Sequence, residues 1–130
     1  MLAYIADLYT PILALFCLYY LRFKFNNRLA FLCFIAYCYV YGFAFIELYF
    51  GWWASMASDF SSHTASVMVI VCALLGCSYK VGAYALVSLF FYGALMNYLD
   101  YHSWFDILTT MLVCLPCLFI FKVFFNQQAK

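Results

Sequence analysis

The chain contains only two histidines, His63 and His102, and each has an aspartate four residues away: Asp59 before the first, Asp106 after the second. On a helix, residues at that separation share a face. An aspartate one turn from a histidine can accept its Nδ1 proton, which fixes the tautomer and leaves Nε2 to act as nucleophile or base. The spacing therefore predicts two His–Asp pairs, one leading into a helix at His63 and one where His102 precedes or opens the last helix. The same four side chains, Asp59, His63, His102 and Asp106, offer nitrogen and oxygen ligands that suit Zn, Mn or Fe. A divalent metal is thus the alternative to a site with no cofactor. Each residue also has a plainer use. A histidine at a helix start near lipid headgroups is an ordinary interfacial residue, and Asp59 stands where it would cap the helix that follows.

The elements that must position these groups are membrane helices. Of 130 residues, 71% are hydrophobic and 8% charged, and the mean hydropathy is +1.01. Soluble domains carry roughly 25% charged residues, so this chain has too little polar surface to cover a soluble globule. A span needs about 20 mostly apolar residues, and five segments qualify: residues 2–21, 29–50, 60–79, 81–99 and 104–125. Unbroken apolar runs do not alternate as barrel strands do. The expectation is a single all-α domain over residues 1–130, an integral membrane bundle of about five spans. The start, Met1-Leu2-Ala3-Tyr4-Ile5, lacks the positive region of a secretory signal, and the first run reads as a retained span.

Charge sets the expected orientation. The six cations Arg22, Lys24, Arg28, Lys80, Lys122 and Lys130 fall in the first loop, the third loop and the C-terminal end. With five spans those places share one side, and cations mark the cytoplasmic side. The N-terminus is then outside and the C-terminus inside, with a bacterial inner membrane the favoured location. The five acids, Asp7, Glu47, Asp59, Asp100 and Asp106, fall at or near the opposite surface, and so do Trp52, Trp53 and Trp104 as an interfacial belt. A net charge of +1 leaves no basic patch for nucleic acid.

Two short stretches resemble a known family. Ser61-Ser62-His63-Thr64 is similar to the Ser-Gly-His-Thr core of the type-2 phosphatidic acid phosphatase superfamily, which includes the sphingomyelin synthases. His102-Ser103-Trp104-Phe105-Asp106-Ile107 resembles its later His-x-x-x-Asp-Val element. That superfamily has six spans with both motifs on the outer side, at the starts of the fourth and sixth. Without the first of those six, the motifs would open the third and fifth spans, as here. The resemblance implies a lipid phosphatase or headgroup transferase in which His102 takes the phosphoryl group, Asp106 orients it and His63 protonates the leaving oxygen. The superfamily's Lys-x6-Arg-Pro motif and its Ser-Arg ahead of the second histidine have no counterpart; Leu95-Met96 stands at the latter position. The stretch His102 to Thr109 also resembles the His-x-x-x-Asp-x-Leu-Thr of membrane-bound metal-dependent hydrolases.

Other residues point elsewhere. All seven cysteines lie in apolar runs and read as small core side chains. Cys114-Leu115-Pro116-Cys117 has the spacing of a redox pair, though it sits about ten residues, roughly 15 Å, below the outer surface. Tyr37, Tyr39 and Tyr41 occupy mid-span positions where a hydroxyl needs a partner, which favours contact with protein on that face. Asp7 and Glu47 lie inside spans near their ends, within reach of water. Three functions follow as expectations: the lipid-directed enzyme, a non-catalytic subunit packed against other membrane subunits, and a metal-binding or thiol-redox membrane protein.

Overall fold

In a computed structural model the whole chain, residues 1–130, is described, and it forms six α-helices and no strand. These are α1 (Leu2–Leu21), α2 (Asn27–Phe50), α3 (Trp52–Ser55), α4 (Ser62–Cys77), α5 (Tyr79–Tyr98) and α6 (Trp104–Gln128). The expected all-α bundle is what forms. Four helices, α1, α2, α5 and α6, are long and apolar enough to cross a membrane. They match the first, second, fourth and fifth predicted spans to within about three residues at every end.

The third span, expected over 60–79, differs. Its helix, α4, has only 16 residues, or about 24 Å at 1.5 Å per residue, against a hydrocarbon layer of about 30 Å. Burial explains how so short a helix is kept. Ten residues of α4 are buried, against four of the 20 in α1 and three of the 24 in α2. All four long helices pack on α4, so the helix is the axis of the bundle and is screened from lipid by its neighbours. Its cap is Ser61, whose Oγ accepts the Thr64 amide at 3.2 Å. The cap expected of Asp59 does not form, because Asp59 stands two residues outside the cap in a loop.

A single residue, Ser78, joins α4 to α5; it ends the first helix and caps the second, accepting the Val81 amide. So tight a reversal brings the two backbones together. A Cβ on Gly82 would overlap the Cα of Leu75, so only glycine fits there. Gly76 plays the same part against α6, where a Cβ would lie 2.9 Å from the Phe121 carbonyl carbon. Small residues permit this close backbone approach in membrane bundles.

Consecutive long helices run antiparallel, so α1, α4 and α6 begin, and α2 and α5 finish, at one end. That end holds Asp7, Glu47, Asp59, Asp100 and Asp106; Arg22, Lys24, Arg28, Lys80, Lys122 and Lys130 belong to the other. The only basic side chain within 4.0 Å of a carboxylate is His102. At the cationic end Arg22 donates to the Tyr19 carbonyl (2.8 Å) and lies over the Tyr19 ring, 3.9 Å from its centroid.

Two mid-span hydroxyls find partners inside the chain. Tyr39 donates to the carbonyl of Val113 at 3.0 Å, in the turn ahead of Pro116. Tyr37 donates to the Ser66 carbonyl at 3.5 Å, whereas Tyr41 is exposed. The aromatic belt needs one correction. Trp52 and Trp104 are exposed, but Trp53 is buried, its Nε1 donating to Thr109 Oγ1 at 2.9 Å and its ring edge-to-face with Phe60.

Candidate functional site

His102 sits in the turn between α5 and α6. Asp100 adopts the left-handed region (φ 57°), and the backbone doubles back so that the Tyr101 amide donates to the Met96 carbonyl at 3.0 Å. Asn97 Nδ2 donates to the His102 carbonyl at 3.3 Å. Ser103 then caps α6 in a capping box: its Oγ accepts the Asp106 amide (3.2 Å), and Asp106 Oδ2 accepts the Ser103 amide (2.9 Å). His102 therefore precedes the helix. Its Nδ1 lies 3.6 Å from Asp106 Oδ2, beyond a hydrogen bond, and is buried with no partner.

Asp106 has other partners in the structure. Its Oδ2 holds the Ser103 amide, and its Oδ1 accepts the Asp59 amide at 3.0 Å, pinning the α3–α4 loop to the start of α6. Asp106 is buried and serves this junction first; it backs the His102 ring without bonding it. Glu47, read from sequence as an unremarkable interfacial acid, has a similar task. Its two oxygens accept the Trp53 and Ala54 amides at 3.0 and 2.9 Å and so cap the short helix α3.

His63 lies in the first turn of α4 and is exposed. The first predicted His–Asp pair does not form, since Asp59 belongs to the loop and no carboxylate lies within 4.0 Å of His63. The neighbours of His63 in its motif are structural. Ser61 and Thr64 are buried and bonded hydroxyl to hydroxyl at 2.8 Å, and the Ser61 amide donates to Thr110 Oγ1 at 3.2 Å. Thr109 of the later motif receives Trp53.

The two histidines nevertheless meet. His63 and His102 line one cavity of about 200 Å³ together with Asp7 and Tyr101, and Ala6, Tyr92 and Met96 complete its wall. Asp59 and Asp106 do not line it. Asp7 is the residue that sequence reasoning passed over. Its signal was present, because an ionisable side chain inside a span is costly and usually has a function. What was missing was the packing of α1 on α4 and α5 that turns Asp7 toward the histidines.

No three His, Cys, Asp or Glu side chains form a group that could hold a metal ion, so Asp59, His63, His102 and Asp106 are not brought together as a ligand set. Cys114 and Cys117 are free thiols buried at 0% and 1% exposure, remote from either surface. The Cys72 thiol lies 3.9 Å from the Cys114 carbonyl and points its hydrogen at it.

The cavity is smaller than the roughly 300–1,000 Å³ of small-molecule pockets. It is lined by two imidazoles, one carboxylate and two tyrosines, and by no Lys or Arg. The N-termini of α4 and α6 open at this end and supply partial positive charge. No protein-family model, curated protein or solved structure matches the chain.

Proposed function

We propose that this chain is a small multi-pass membrane protein of the lipid phosphoesterase or headgroup-transferase type, working with His102 and His63 at the acidic end of its bundle. One observation carries it: two histidines separated by a whole helical hairpin line the same cavity. By the positive-inside rule the acidic end faces away from the cytoplasm, as it would in a bacterial inner membrane with the N-terminus outside.

The chemistry runs in two halves. His102 Nε2 bonds to phosphorus as the bond to the leaving oxygen breaks, and that oxygen takes a proton from His63. Water or a lipid hydroxyl then attacks the phosphohistidine, returns its proton to His63 and frees His102. Asp106 lies behind Nδ1 of His102 at 3.6 Å; such bonds often close only when substrate binds. No Lys or Arg lines the cavity, so the partial positive charge of the nearby α4 and α6 N-termini and a protonated His63 would have to offset the phosphoryl charge. The test is headgroup release from short-chain phospholipids, phosphatidate among them, by purified protein in nanodiscs. Release by the wild type is expected to fall to background in His102→Ala, and by about 10²–10⁴-fold in His63→Ala. Wild-type rates equal to those of His102→Ala would remove the enzyme.

A second reading, a non-catalytic subunit of a larger membrane complex, is favoured by one specific finding. Both oxygens of Asp106 are engaged by backbone amides, so the later motif has a structural use whether or not His102 reacts.

A further inference from the structure

The cavity at the acidic end does not stand alone. Tyr92 is also a wall of a second, apolar hollow of about 290 Å³ between α1 and α5, and Tyr9 and Ser88 carry that hollow into a third of about 430 Å³ deeper along the same two helices. Tyr9 stacks on Tyr92 with ring centroids 4.3 Å apart and bonds Ser88 Oγ at 2.7 Å, and Tyr9 and Ser88 line both hollows. Polarity changes in order along it: carboxylate and imidazoles at the end, then the tyrosines and one serine, then Ile12, Leu13 and Phe16. Residues 81–95 of α5 border the cleft, a length of about 21 Å at 1.5 Å per residue. One leaflet of the hydrocarbon layer is about 15 Å deep.

Two other apolar grooves face outward, one among α1, α2 and α4 and a larger one, about 460 Å³, among α4, α5 and α6. Neither shares a residue with the histidine cavity. Of these three grooves, only the α1–α5 cleft shares a lining residue, Tyr92, with the polar cavity.

We infer that the α1–α5 cleft is a binding site for one acyl chain of a membrane phospholipid whose head enters the cavity of Asp7, His63 and His102. This rests on the proposal that the cavity receives a lipid head, and it adds where the lipid body lies: the lipid enters sideways from the bilayer, through α1 and α5. The cleft also explains how a cavity of about 200 Å³ could serve a lipid at all, since only the head needs to fit inside it.

The probe is a phosphatidylethanolamine carrying a diazirine midway along one acyl chain, reconstituted with the full chain in nanodiscs and mapped by peptide mass spectrometry after illumination. Labelling of α1 and α5 around Tyr9, Ile12 and Tyr84 is expected to exceed labelling of the α4–α5–α6 groove around Leu108, Leu112 and Leu115 by about fivefold. A diazirine fatty acid without a phospholipid head is expected to show no such preference. Ile12→Trp, at an exposed position bordering the cleft, is expected to remove the excess while leaving the control groove labelled. Equal labelling of both grooves by the phospholipid, or an excess that survives Ile12→Trp, would overturn the inference. Because the readout is binding, it separates from catalysis. Cleft labelling without headgroup release loses the enzyme and keeps the lipid site; release without cleft preference does the opposite.

Discussion

Asp106 shows how one side chain can resemble a catalytic residue and spend its bonds elsewhere. A carboxylate at the third position of a helix is placed to accept the cap amide, and here the second oxygen also reaches the Asp59 amide of another loop. Removing it leaves the part-buried amides of Asp59 and Ser103 without their acceptor. Asp106→Ala is therefore expected to destabilise the protein by about 1–2 kcal/mol, read as a lower thermal midpoint in detergent. A midpoint unchanged from wild type would show that these bonds are replaced by water. The pattern His102-x-x-x-Asp106 was legible in sequence, but its geometry was not. Four residues imply a shared face only if both lie on the helix, and Ser103, between them, is where the helix begins.

At the scale of elements, the bundle depends on two glycines that pattern reasoning did not single out. Apolar periodicity says nothing about how near two helix axes come, and glycine in a span carries no hydropathy signal of its own. Gly82 and Gly76 lie where α5 and α6 approach α4 closely enough to exclude a methyl group. Gly82→Ala is expected to force α5 away from α4 and cost about 1–3 kcal/mol, as overpacking does. Gly42→Ala, where a Cβ meets nothing within 4 Å, is expected to be neutral or slightly stabilising. Equal midpoints for the two variants would mean that the one-residue turn at Ser78 absorbs the strain. The same buried axis accounts for the length of α4. A helix surrounded by other helices does not meet lipid, so the usual length of about 20 residues does not bind it.

For the whole molecule, the separation of charge predicts sidedness. Asp59→Cys and Asp100→Cys are expected to react on intact cells with a charged, membrane-impermeant maleimide, and Lys24→Cys and Lys80→Cys only after permeabilisation. Six of the seven native thiols are buried or half-buried, and the seventh, Cys38, lies mid-span, so wild type is expected to serve as the blank. Labelling of positions 59 and 100 on opposite faces would dismantle the topology and the site with it.

Composition and the placing of charges were enough to settle the class of protein, the long helices and the two chemically distinct ends, because each follows from what a bilayer tolerates segment by segment. The partners of each polar group were settled only by packing. Asp7 joining His63 and His102, Asp106 tied to two amides, Trp53 turned inward and the cleft between α1 and α5 all bring together residues far apart in the chain. One-dimensional spacing carries no information about which helices touch; that depends on side-chain volumes summed across the bundle.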